Sequence, residues 1–172
     1  MNRKFIPPLI IICILSLAYG STLAPGLSWA NGGADGGDLI AAAATGGVAH
    51  PPGYPLYLLL ARLFQLIPIG TLAFRTNLLS LICTQLACVL LYKFLGKRLE
   101  AHQHANWIAF LCALAFGLSP QVWSQAVITE VYALHSLLII LILLALYTNT
   151  YPAGDFGRGV LRQNPSGKRN RT

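Results

Sequence analysis

Two aspartates separated by two glycines, Asp35-Gly36-Gly37-Asp38, and the run His50-Pro51-Pro52-Gly53-Tyr54-Pro55 are the stretches of this chain best suited to chemistry. The chain has only five acidic residues, and two of them fall in this Gly-rich loop between strongly apolar segments. Charge beside a bilayer is costly, so acids at such a position are functional candidates by default. A positioned carboxylate can take a proton from a reacting hydroxyl. A second carboxylate close by raises the proton affinity of the first. A plainer account exists beside this one. Residues 39–45 are Ala-rich and predict a short helix, with Asp38 as its N-cap and Asp35 just before its first turn. Capping accounts for one acid more readily than for two.

The elements around this loop are those of a helical membrane protein. Hydrophobic residues make up 55% of the chain and charged residues 10%, with a mean hydropathy of +0.61, against roughly 25% charge in soluble domains. The net charge of +7 does not point to nucleic acid, because the basic residues cluster at the ends of apolar runs, as topology signals do. Cys13, Cys83, Cys88 and Cys112 all lie inside apolar runs and read as small buried side chains.

Spans are predicted near 5–23, 74–92, 107–123 and 131–147, with an outer loop over 24–73. The first run nearly matches a ~30 Å hydrocarbon core at about 1.5 Å per residue. Arg3 and Lys4 precede it, and Pro7 and Pro8 fall in its first turn. A signal peptide with Ala18-Tyr19-Gly20 as its cleavage site is the rival reading; both put the next loop outside. Trp29 reads as an interfacial anchor. Leu56, Leu59, Leu60, Leu63, Phe64 and Ile67 follow helical spacing. Charge topology makes that helix interfacial, with Arg62 snorkelling. A spanning helix there would carry Lys93, Lys97 and Arg98 outside. The interfacial arrangement leaves only Arg62 and Arg75 of the twelve basic residues outside, and the N-terminus is cytoplasmic. Glu100, His102 and His104 read as a solvated turn rather than a metal site. Ser119-Pro120 interrupts the third span and Trp123 marks its outer end. Glu130 is the second acidic feature on the outer side, or a helix N-terminal acid. His135 reads as a satisfied intramembrane histidine. Residues 151–172 are Gly-, Arg- and Asn-rich and predict a disordered basic tail.

Taken together, several strings resemble a known family: Leu23-Ala24-Pro25-Gly26-Leu27-Ser28-Trp29, Gly33-Ala34-Asp35-Gly36-Gly37-Asp38-Leu39, His50-Pro51-Pro52-Gly53-Tyr54-Pro55-Leu56-Tyr57, Phe74-Arg75-Thr76-Asn77, Ser119-Pro120-Gln121-Val122-Trp123 and Thr129-Glu130-Val131-Tyr132. The family is a bacterial multi-pass membrane family related to the eukaryotic endoplasmic-reticulum protein O-mannosyltransferase. The likeness runs from about residue 23 to about residue 146. More distantly the layout is similar to the N-terminal module of GT-C glycosyltransferases. The resemblance implies transfer of a sugar from a polyprenyl-phosphate donor to a protein or glycan acceptor on the periplasmic or lumenal face, with no cofactor beyond the lipid-linked donor. It also implies a multi-pass protein of a bacterial inner membrane. By motif position Asp35 is the base and Asp38 its partner or the cap. The leaving phosphate needs a cation, for which Arg75 is the first candidate and Arg62 the second. His50 donates to phosphate or orients the Pro-rich turn, Tyr54 contacts donor or lipid, and Glu130 orients Arg75 or the acceptor. Where this chain has Asp38 the family carries glutamate, one methylene longer.

Two alternatives accompany this expectation. Family members continue with further spans, so the chain also reads as a truncated, inactive fragment. A transporter or flippase ranks lower, because such proteins place ionisable groups at mid-bilayer and carry repeats.

Overall fold

A computed structural model describes residues 6–29, 33 and 35–150, with Thr150 described in backbone only. The basic tail lies outside the described residues, as do Arg3 and Lys4. Among the described residues the protein is all helical, with seven helices: α1 (Ile6–Gly20), α2 (Gly36–Thr45), α3 (Pro55–Gln65), α4 (Leu72–Arg98), α5 (Ala105–Gly117), α6 (Pro120–Ala126) and α7 (Tyr132–Thr150).

The organising element is α4, against which every other helix packs. It starts where Thr71 caps it, its hydroxyl accepting from the Phe74 N–H at 3.0 Å. It runs on through Lys97 and Arg98, whose charge suits the negative end of the helix dipole. Its 27 residues, and the apolar part of α7, are long and apolar enough to cross a membrane. The pair α5–α6 is a third such element if counted as one span bent by 62°. Ser119-Pro120 makes the bend: Pro120 opens α6, where its missing N–H costs nothing. By the same measure α1 is apolar but short, its 15 residues rising about 22 Å. Two or three helices thus meet the length test where four spans are expected.

The bundle closes by near contact of small residues. At Gly117 an added Cβ would meet Cys88 Sγ at 2.8 Å and Leu15 Cδ2 at 3.0 Å, so α1, α4 and α5 approach one another only because that position is glycine. Tyr19, fully buried, donates from its hydroxyl to the Gly117 carbonyl at 2.6 Å. A second core cluster joins Leu39 and Ala43 of α2, Tyr57 and Ala61 of α3, Leu79 and Cys83 of α4, and Val131 and Leu134 around the start of α7.

One buried amide in α4 ties the segments before α2 and before α7 together. Asn77 Nδ2 donates to the Ala24 carbonyl at 2.8 Å, and its Oδ1 accepts from the Thr129 hydroxyl at 2.6 Å. The Ala24 N–H in turn donates to the Val127 carbonyl. Replacing Asn77 with alanine strands the Ala24 carbonyl and the Thr129 hydroxyl, at about 1–3 kcal/mol for each group left without a partner. The expected outcome is a clearly lower thermal-unfolding midpoint of the detergent-solubilised chain, read by circular dichroism; an unchanged midpoint would remove Asn77 from this role.

Candidate functional site

Short helices at one end of the bundle position the acids. α2 begins at Gly36, three residues before the predicted start, because Gly36 packs against Thr129 and Leu27 and that contact outweighs glycine's poor helix propensity. The earlier start corrects the expected capping. Asp35, not Asp38, holds the N-cap position, and its side chain makes no capping hydrogen bond. Asp38 lies in the first turn, where the dipole favours a carboxylate, and faces the Pro-rich loop. Gly33 is needed upstream, since a Cβ there would sit 2.6 Å from the Ser28 carbonyl oxygen.

The Pro-rich loop folds back onto α2. Its turn closes when the Gly53 N–H donates to the His50 carbonyl at 2.9 Å, with Gly53 at φ +86°. Pro55 then opens α3 in the first-turn position that suits it. Asp38 Oδ2 accepts twice from His50, from the backbone N–H at 2.9 Å and from Nδ1 at 2.8 Å. On the other side of the ring, His50 Nε2 is 3.6 Å from Asp35 Oδ2. The imidazole therefore sits between the two carboxylates. Tyr54, itself at φ +44°, packs edge-on against it with ring centroids 5.5 Å apart.

Electrostatics follow from this geometry. The two His50 hydrogen bonds, the backbone one first, hold Asp38 below its ordinary value of 3.8. The Asp38 bond raises His50 above its ordinary 6.5, with Asp35 and Glu130 adding to it. The His50 contribution to stability is therefore complete below pH 6.5 and is lost as pH rises through its raised value. The Asp38 contribution is complete above pH 3.8 and is lost on acidification through its lowered value. The link is strongest between these two pH values. NMR titration is expected to give His50 a pKa above 6.5 that falls back when Asp38 is changed to asparagine; an unmoved value would mean the pair does not form.

Glu130 is the third acid of the site and the only buried one among the described residues, at 3% exposure. It lies between α6 and α7, within electrostatic reach of Asp35 and His50. Burial first, then Asp35, raises its carboxyl above the ordinary value, while the Val131 N–H and His50 oppose this. Its backbone touches Ser80 of α4. Tyr57 of α3, also buried, places its hydroxyl near Ser80 and Glu130, and burial pushes its pKa up.

The structure brings Asp35, Asp38, His50, Tyr54 and Glu130 together, and leaves Arg75 engaged elsewhere. The Arg75 guanidinium donates from Nε to the Ile69 carbonyl at 2.6 Å, from Nη1 to Gln65 at 2.7 Å and from Nη2 to Gly70 at 3.1 Å. It thus ties the end of α3 to the start of α4. No hydrogen bond or ion pair joins it to the acids among the described residues. Glu100, His102 and His104 lie exposed in the α4–α5 turn, and His135 is exposed on the first turn of α7 beside Tyr132. Tyr57, Asn77 and Thr129 lie beside these residues, and no motif in the sequence names them as site residues. The one available signal was Asn77, an amide in an apolar run.

The comparisons with known proteins concern this same segment. The family model described as the protein O-mannosyl-transferase TMEM260 N-terminal domain matches residues 35–155. The mouse protein O-mannosyl-transferase TMEM260 is 43% identical over 108 residues, covering 62% of this chain and 15% of the mouse protein. The Dictyostelium discoideum protein O-mannosyl-transferase tmem260 is 33% identical over 131 residues, 74% of this chain and again 15% of the relative. The chain therefore spans about a seventh of the length of these relatives. No solved structure matches it.

Proposed function

Since this chain belongs to the protein O-mannosyl-transferase TMEM260 N-terminal domain family, we propose that it forms the acid–base module of a membrane glycosyltransferase. The module moves a sugar, mannose in the first instance, from a polyprenyl-phosphate donor to a hydroxyl acceptor on the periplasmic or lumenal face. In this arrangement α1, α4, bent α5–α6 and α7 are four spans, the N-terminus is cytoplasmic, and α2 and α3 lie at the outer membrane surface.

The observation that carries this reading is the Asp35–His50–Asp38 arrangement beside a buried Glu130. Asp35 takes the proton of the acceptor hydroxyl. The acceptor oxygen bonds to the anomeric carbon as the bond from that carbon to the phosphate oxygen breaks, and the electron pair leaves on the phosphate. The anomeric configuration inverts. Asp38 fixes the His50 tautomer and ring plane through Nδ1, which leaves Nε2 turned toward Asp35. Asp35 is more than half exposed, so an incoming hydroxyl can reach it. Glu130 closes the acidic wall and orients the acceptor.

Membranes carrying this chain, incubated with radiolabelled polyprenyl-phosphate sugars, test the reading. Label in protein or glycan is expected. Label remaining wholly in the lipid donor, with the chain shown to be inserted, would overturn activity of the module alone.

A further inference from the structure

We propose that Arg62, rather than Arg75, is the contact for the phosphate of the lipid-linked donor, and that the groove between α2 and α3 receives the first part of its isoprenoid chain. This rests on the glycosyltransferase reading above and names the residue that would hold the donor.

A guanidinium can serve a ligand only if its N–H groups are not already used. Those of Arg75 are: three backbone carbonyls at the α3–α4 corner take Nε, Nη1 and Nη2. Arg62 is the contrasting case. It lies exposed in the last turn of α3, and none of the hydrogen bonds or ion pairs among the described residues involves it. Its head lies over Gly46. A Cβ on Gly46 would stand 2.5 Å from Arg62 Nη1, and Gly46 is also at φ +71°. Position 46 thus leaves room for the guanidinium.

The surroundings of Arg62 fit one kind of ligand. It borders a groove of about 430 Å³ whose other walls are apolar or backbone, including Ala43, Val48, Pro52, Leu58 and Leu59. Arg62 is the one charged residue in that lining. A single cation at the edge of an apolar groove complements an amphiphile with one anionic head. Leu56, Leu59, Leu63 and Leu66 form an exposed stripe along α3 beside it, the pattern of a helix lying in the membrane interface. A lipid can then enter sideways from the bilayer. The Gly46–Pro55 loop that walls the groove also carries His50, so one loop joins the groove to the Asp35–His50–Asp38 arrangement. A bilayer phospholipid shares the anionic head but has two acyl chains, whereas a polyprenyl-phosphate donor has a single chain for a single groove.

The test is binding to the full chain in nanodiscs, by displacement of a fluorescent polyprenyl phosphate. Arg62→Ala is expected to weaken polyprenyl-phosphate binding by about tenfold or more and to leave binding of the uncharged polyprenol unchanged. Arg62→Lys should recover part of the loss. Equal affinity of wild type and Arg62→Ala for the phosphate would overturn the assignment, as would an equal loss for phosphate and polyprenol. Displacement by phosphatidic acid at equal concentration would overturn the choice of ligand. Because the readout is binding, it separates the two readings. Arg62-dependent binding without sugar transfer would count against the transferase reading alone, and transfer that survives Arg62→Ala with binding unchanged would count against Arg62 alone.

Discussion

Asp35→Asn, made in a full-length relative at the position aligned with Asp35, is expected to lower sugar transfer by about 10²–10⁴-fold, the usual contribution of a positioned general base. Expression and membrane insertion should not change. The substitution is isosteric, and the Asp35 side chain is more than half exposed and makes no capping hydrogen bond to α2. Little folding energy depends on it, so a large loss of rate would report chemistry. Transfer assays on matched amounts of protein would settle the point, and retained transfer would end its assignment as the base.

Asp38→Ala should act by a different route. It removes both hydrogen bonds that pin the Pro-rich loop to α2. His50 loses the partner that sets its tautomer, and the ring is free to leave Asp35. Misplacement of about 1 Å near a reacting group can cost about 10²-fold, and a loss of that order is expected. The His50 pKa should drop at the same time, which a purely structural lesion elsewhere would not produce. Asp38→Glu is expected to restore much of the rate, because a carboxylate is again available to His50. Rates that stay at wild-type level in Asp38→Ala would show that the link is ornamental to transfer.

Much of the architecture was legible in residue patterns, for identifiable reasons. Apolar runs of span length located α4 and α7, because long helices in lipid must be apolar throughout. Ser119-Pro120 announced the bend, because proline cannot continue a helix without cost. The Pro-rich run announced a rigid turn, and its geometry agrees. The start of α2 is not legible in the sequence because Gly36 and Gly37 look like helix breakers. Their inclusion depends on packing against Leu27 and Thr129, which local propensity does not contain. The same shift moved the N-cap from Asp38 to Asp35. The role of Arg75 was also out of reach from sequence: its three carbonyl partners come from the close of α3 and the turn after it, and only their folded arrangement brings them to one guanidinium. His50 between two carboxylates required knowing that the loop folds back over α2, a long-range fact that no spacing states.

The central claim is that this segment supplies the base and its support in sugar transfer, and a graft tests it most directly. Residues 35–155 of this chain would replace the matching domain of a full-length relative. Incorporation of radiolabel from a polyprenyl-phosphate sugar into acceptor would then be measured in membranes, with and without Asp35→Asn in the graft. The expected result is incorporation by the graft and its loss by about 10²-fold or more with Asp35→Asn. Equal incorporation by the two, in protein inserted at equal levels, would contradict the account.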